Sequence, residues 1–344
     1  MLESCYTVLA MPRVSVVAMA VALALQPVRG SGEAQSANER SNVVRLERSE
    51  EAMGSSFSLV LYGADRARLE TSADLAFREA HRLDAMLSNY RRESEWSHVN
   101  REAATRPVEV SQELFSVLSS CLEYSRQSEG AFDVTVGTLM KVWGFYKGEG
   151  SMPRRADVTD ALTKVGYQHV LLDPVARTVR FNRPGIELDP GGIGKGYAVD
   201  RIVDVLKRER VDAALVSASG SSIYALGAPP DDPRGWPITI SRPRDSEQAA
   251  ATLFLHDMSI STSGSYEKFF WAEGRTYSHI MDPRTGYPAR GTSSVSVLAA
   301  RTLDSEAWTK PFFINGRDWT KAHKPAAFRV FFCDDQPQPS CGWL

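Results

Sequence analysis

The stretch Asp189-Pro-Gly-Gly-Ile-Gly-Lys195-Gly-Tyr-Ala-Val-Asp200 joins two segments of different periodicity. Before it, across residues 169–188, two apolar runs flank Asp173-Pro174, which predicts a hairpin rather than a crossover. After it, Val199, Ile202, Val203, Val205 and Leu206 recur at helical spacing. The stretch therefore reads as a glycine-rich turn that opens a helix. Glycines there let the backbone approach a ligand closely, free amides at a helix start favour an anion, and Lys195 adds a positive charge. A diphosphate suits such a turn. The same glycines also serve in a plain tight turn, and their spacing is neither a Walker loop nor a dinucleotide fingerprint. Asp189 either binds a ligand hydroxyl or caps the turn.

Outward from the turn, residues 43–63 have β character, and Leu69, Ala73, Ala76, Phe77, Ala80, Leu83 and Leu87 mark one apolar face of a long helix. A second helix is predicted over residues 112–128, stopped near Gly130, and a short third one ends at Gly166. Short strand candidates at 213–216, 223–226, 238–240, 253–255 and 295–299 are separated by Gly, Pro and Ser. Strands grouped in hairpins with helices between them imply an α+β fold, layered α/β/α with mainly antiparallel sheets.

The chain has 344 residues, a formal net charge of -2 and 24% charged residues, which describes an ordinary globule and no nucleic-acid binder. Residues 1–34 carry Arg13, a short apolar run and then polar residues. They read as a cleaved signal peptide, or as a membrane tether, and predict an exported protein of the periplasm or cell envelope. Residues 35–42 form a linker, 43–335 the functional domain and 336–344 a C-terminal tail. With the signal removed, Cys333 and Cys341 are the plausible disulfide pair, while Cys121 reads as a buried, inert thiol.

A second cluster, Tyr277-Ser-His279-Ile-Met-Asp282-Pro-Arg284-Thr-Gly286, follows Ser261-Thr-Ser263-Gly264. His279 can orient or deprotonate a nucleophile at neutral pH, or simply satisfy a turn. Gly130-Ala131-Phe132-Asp133 and the aromatics through Trp143 offer a surface for stacking a ring, or a core helix. Met53-Gly54 reads as the entrance to a strand.

In this order the clusters resemble the FAD:protein FMN transferase family, also called the ApbE family. The resemblance runs over residues 53–316. It rests on Met53-Gly54, Leu87-Ser88-Asn89-Tyr90 with Ser94 and Asn100, Gly130 to Asp133, Lys195 to Asp200, and Ser278-His279-Ile280 through Gly286. It implies a T-fold-like ApbE architecture and a transferase that moves FMN from FAD onto a Thr or Ser hydroxyl of a client protein, releasing AMP. Clients implied by the family are exported or membrane electron-transfer proteins, with peripheral association to membrane redox complexes. Met53, Tyr90, Ala131, Phe132, Asp133, Asp189, Lys195, His279 and Ile280 match FAD-contacting positions. Lys195 and His279 are the implied catalytic pair.

The family also implies Mg2+ on the FAD pyrophosphate, held by a turn carbonyl, here Gly192, and by an Asp and a Thr four residues apart. This chain departs there: Glu306 stands at the Asp position and Lys310 at the Thr position. A one-residue shift would instead offer Ser305 and Thr309. An ammonium cannot ligate a cation and repels it in a confined site. Two other activities fit the same residues: an FAD pyrophosphatase, in which water replaces the client, and a non-catalytic FAD-binding protein.

Overall fold

The structure, a computed structural model, describes residues 43–148, 150–243, 245–336 and 339–344. The signal segment and linker read in residues 1–42 lie outside them. One eight-stranded sheet organises the chain. Its strands are β1 (Val44–Ala52), β2 (Ser55–Gly63), β3 (Ala213–Ala218), β4 (Ser222–Leu226), β5 (Met258–Gly264), β6 (Thr292–Ala299), β7 (Arg329–Asp334) and β8 (Cys341–Trp343). They lie side by side in chain order, each antiparallel to its neighbours. Met53 and Gly54, both at positive φ, form the two-residue turn between β1 and β2, so the strand entrance read at Met53-Gly54 is a hairpin tip.

Strand alternation assigns the two faces. Phe57, Leu59 and Leu61 of β2 face the main core with Val216 of β3, Val297 of β6 and Phe332 of β7. Three helices cover that side: α1 (Arg66–Leu87), α2 (Gly194–Arg208) and α3 (Thr302–His323). The apolar stripe of α1 is buried as its spacing predicts, and Asp65 caps it by accepting from the Ala67 and Arg68 amides at 2.9 and 3.3 Å. Val60, Tyr62, Leu215 and Ile223 point the other way, under a long hairpin of Trp236–Arg242 and Asp245–Leu255. The segments 238–240 and 253–255 are thus two arms of one hairpin that covers the second face.

Residues 169–188 form the expected hairpin, Val170–Asp173 against Thr178–Phe181, with Val108–Glu109 as a third strand. The helix Glu95–Glu102 was not evident from periodicity, whereas Gly137–Val142 falls in the segment read as a ring-stacking surface or a core helix. Cys333 and Cys341 are disulfide-bonded across the β7–β8 pair, and Cys121 is buried and free. Cys341–Trp343 therefore extends the sheet. No helix among the described residues is long and apolar enough to cross a membrane.

Candidate active site

Backbone pairing begins the site. The Asp189 amide donates to the Val134 carbonyl at 2.7 Å, and Val136 bridges Glu187, so residues 131–136 run beside the glycine-rich turn. Asn100 grips the preceding residue with both ends of its amide: it accepts from the Leu188 amide at 2.8 Å and donates to the Leu188 carbonyl at 3.0 Å. Trp96 donates to that carbonyl at 3.1 Å. Asp189 is buried. Its two oxygens accept from the Gly191 amide at 2.5 Å and from Tyr146 Oη at 2.6 Å. Burial pushes its carboxyl above the usual carboxylate range, opposed by those two hydrogen bonds. The carboxylate caps the turn. Asn89 donates to Tyr146 Oη at 3.1 Å, so the Leu87–Asn100 motif supports the turn from behind.

The turn's glycines answer to space rather than to a left-handed backbone. A Cβ at Gly192 would lie 3.1 Å from the Phe132 ring. At Gly196 it would lie 2.5 Å from the Thr302 carbonyl oxygen and 2.8 Å from Glu306 Oε2. That closeness lets α2 touch the start of α3. The Gly196 amide donates to Glu306 Oε2 at 2.5 Å, and Asp200 accepts from the Thr302 and Leu303 amides at 2.7 and 2.9 Å, capping α3 from a neighbouring helix. Lys195, on the first turn of α2, enters the cleft and donates to Ser221 Oγ at 2.5 Å.

The first turns of α3 form the opposite wall. Ser305 bonds Ser259 and Ser261 at 3.0 and 2.8 Å, and Thr309 bonds Ser263 at 2.7 Å, in a buried hydroxyl seam between α3 and β5. That seam fixes the rotation of α3, and Glu306 and Lys310 consequently face the cleft. The alternative pairing of Ser305 with Thr309 is excluded, since both side chains are spent on the sheet. Lys310 Nζ donates to the Glu306 carbonyl at 3.0 Å, and Lys310 Cε approaches the Cβ position of Gly192 within 3.8 Å. Lys310 is therefore a cleft residue and not a surface one.

His279 lines the cleft, and its Nδ1 lies 3.1 Å from the Lys268 carbonyl. A carbonyl only accepts, so Nδ1 carries the proton and Nε2 keeps its lone pair. Burial pushes the imidazole down to about 4; the Lys268 carbonyl bond opposes this, while Lys268, Lys310 and Lys195 add to it. Asp282 does not orient His279, because its carboxylate takes the Arg284 amide and guanidinium at 2.9 to 3.0 Å.

Of the residues singled out in the sequence, Ala131, Phe132, Asp133, Asp189, Gly192, Lys195, His279, Ile280, Glu306 and Lys310 all line this one cleft. Met53 sits just beyond it, its Cε 3.1 Å from the Cβ position of Gly194. Tyr90 is 78% exposed at the rim, with its ring against Tyr146. Asp133 spends its carboxylate on Thr135 and on the Tyr167 amide, so it shapes the loop. Trp143 is fully buried among Leu139, Phe145, Tyr277 and Met281, which settles the aromatic segment as core, with Phe132 left on the cleft wall. Sequence reasoning missed Tyr146 and Glu267; neither sits in a patterned segment.

Gly192 and Glu306, read as metal ligands, both line the cleft, but the groups around them match a preformed Mg2+ site poorly. Mg2+ requires near-octahedral oxygen coordination. Here one Glu306 oxygen is taken by the Gly196 amide, an ammonium occupies the position of the expected third ligand, and no group of three His, Cys, Asp or Glu among the described residues could hold an ion.

The ApbE family profile matches residues 53–328. The chain is 34% identical over 263 residues to an FAD:protein FMN transferase of Klebsiella pneumoniae (strain 342), covering 76% of this chain and 79% of that one. It is 31% identical over 292 residues to the FAD:protein FMN transferase of Treponema pallidum (strain Nichols), covering 80% of each. Among solved structures, the ApbE protein of Thermotoga maritima superposes with a TM-score of 0.79 at 28% identity, over 86% of this chain and 96% of the other. Pseudomonas stutzeri flavinyl transferase ApbE in its apo form gives 0.77 at 28% identity, over 88% and 94%.

Proposed function

This chain belongs to the ApbE family, and we infer from the cleft that it is an FAD:protein FMN transferase whose client oxygen is a Thr or Ser hydroxyl. The observation that carries the reading is the convergence of Lys195, the turn at Asp189–Gly192 and His279 on one cleft that Phe132 also lines. Helix-start amides and an ammonium suit the FAD diphosphate, and the Phe132 edge of the cleft suits a flat ring. The client hydroxyl oxygen attacks the FMN-side phosphorus. A new phosphoester bond forms as the bond to the AMP oxygen breaks, and AMP leaves. His279 Nε2 takes the hydroxyl proton.

Such a transfer asks little covalent chemistry of the enzyme; alignment and charge neutralisation carry it. The depressed imidazole remains neutral, and so able to accept a proton, at any pH above about 4. A bound diphosphate would offset the three lysines that push His279 down, making it a stronger base when substrate is present. Magnesium, where it takes part, would arrive on the diphosphate rather than on a preformed protein site, for the ligand reasons given above.

Export to the periplasm or cell envelope rests on the N-terminal segment, and the Cys333–Cys341 disulfide agrees with an oxidising compartment. Clients would then be exported or membrane-held electron-transfer subunits, met by peripheral association. In-gel flavin fluorescence tests the function. A tagged candidate client mixed with enzyme and FAD should give a fluorescent band that survives denaturation. Free FMN and AMP without a band would instead mark a pyrophosphatase, and intact bound FAD a flavin-binding protein.

A further inference from the structure

Two cations enter the cleft from two different helices. Lys195 comes from the first turn of α2 and Lys310 from α3, and among the described residues neither has a carboxylate oxygen within 4.0 Å. Lys310 is also anchored: its Nζ is tied to the Glu306 carbonyl, its stem lies beside Gly192, and the Ser305–Thr309 seam prevents α3 from turning it away. Burial pulls this ammonium's pKa down, Glu306, Glu267 and Asp189 pull it back up, and Lys195 repels it. A buried cation aimed at a turn suited to a diphosphate gains its counter-charge when the ligand arrives.

We propose that the Lys310 ammonium is a ligand-charge residue of this cleft, pairing with Lys195 across the FAD diphosphate so that the enzyme binds FAD and transfers FMN without a protein-bound metal. The proposal rests on the FAD reading above. The diphosphate of FAD carries two negative charges, and two ammoniums match them. An ammonium supplies charge and hydrogen bonds but no open coordination position, so chelation should remove nothing the protein itself needs.

The experiment is FAD affinity of the full chain, read from flavin fluorescence, in chelator and in magnesium, with client flavinylation followed beside it. The wild type should bind FAD and flavinylate equally in both. Lys310→Gln should lose about ten- to hundredfold in FAD affinity in chelator, the expectation for a charge-assisted bond. Lys310→Arg should keep most of the affinity, which separates lost charge from a disturbed fold. Lys310→Thr should bind weakly in chelator and recover with magnesium. Wild-type affinity that collapses in chelator, or a Lys310→Gln variant that binds FAD as the wild type does, would overturn the proposal. Affinity that follows the charge at residue 310 without flavinylation of any client would leave this assignment standing and sink the transferase reading.

Discussion

The two walls of the cleft are charged alike but built differently. On the turn wall, the acidic side chain is consumed by scaffolding: Asp189 holds Gly191 and Tyr146, and Asn100 and Trp96 hold Leu188. Only Lys195 and backbone amides remain for a ligand. On the α3 wall, scaffolding falls to neutral hydroxyls of the Ser305 and Thr309 seam, and the charged side chains of Glu306 and Lys310 are left to face the cleft. A rigid turn can present backbone donors because its side chains work inward. A helix, whose backbone donors are spent, must present side chains instead.

This contrast can be broken most severely at Lys195. Lys195→Ala should lower the rate of flavin transfer by about 10²- to 10³-fold, the range for losing one preorganised charge-stabilising donor, while leaving the thermal midpoint close to wild type. Rate and melting curve together check it, and a large drop in the midpoint would mean that Lys195 supports the fold. Next comes the contact between the walls. Gly196→Ala drives a Cβ into the Thr302 carbonyl and the Glu306 carboxylate, an overpacking expected to cost about 1 to 3 kcal/mol in denaturant titration. A neutral result would show that α2 and α3 can part without loss.

Smaller effects sharpen each wall separately. Thr309→Val strands the Ser263 hydroxyl in a buried seam and should cost about 1 to 2 kcal/mol of stability, with a raised Kd for FAD if the seam sets the direction of Lys310. Asn100→Ala should act on the other wall, weakening FAD binding without touching the ligand, and a double variant with Thr309→Val should be additive if the walls are independent.

The mildest expectation concerns pH. His279 has its pKa lowered from 6.5 to about 4 in the folded protein, so the unfolded chain binds the extra proton between those values. Its contribution to stability is complete above 6.5 and lost as pH falls to about 4, and His279→Gln should flatten that acid limb of a pH–stability series. In the ligand-free protein the imidazole NMR titration should show no inflection near 6.5, and FAD should shift it upward.

The sequence was most readable where one residue type has one physical use. Glycine and proline announced the turn at 189–196, apolar spacing announced α1, and Cys333 and Cys341 paired as their surroundings allow. The short helix Glu95–Glu102 was hidden because only Trp96, Ser97 and Val99 are buried in it, too few to set a period. Tyr146 reaches Asp189 across 43 residues of chain, a contact that only tertiary structure makes. The choice between Ser305 with Thr309 and Glu306 with Lys310 turned on the rotation of a helix. Spacing alone is blind to rotation; the serines of β5 decide it.

The most direct test of the account is the stoichiometry of the products. Purified enzyme, FAD and a client should be followed by client mass and by AMP release, in chelator. One FMN added to the client for every AMP released is the predicted result. AMP released together with free FMN, or no AMP while FAD stays bound and intact, would contradict it.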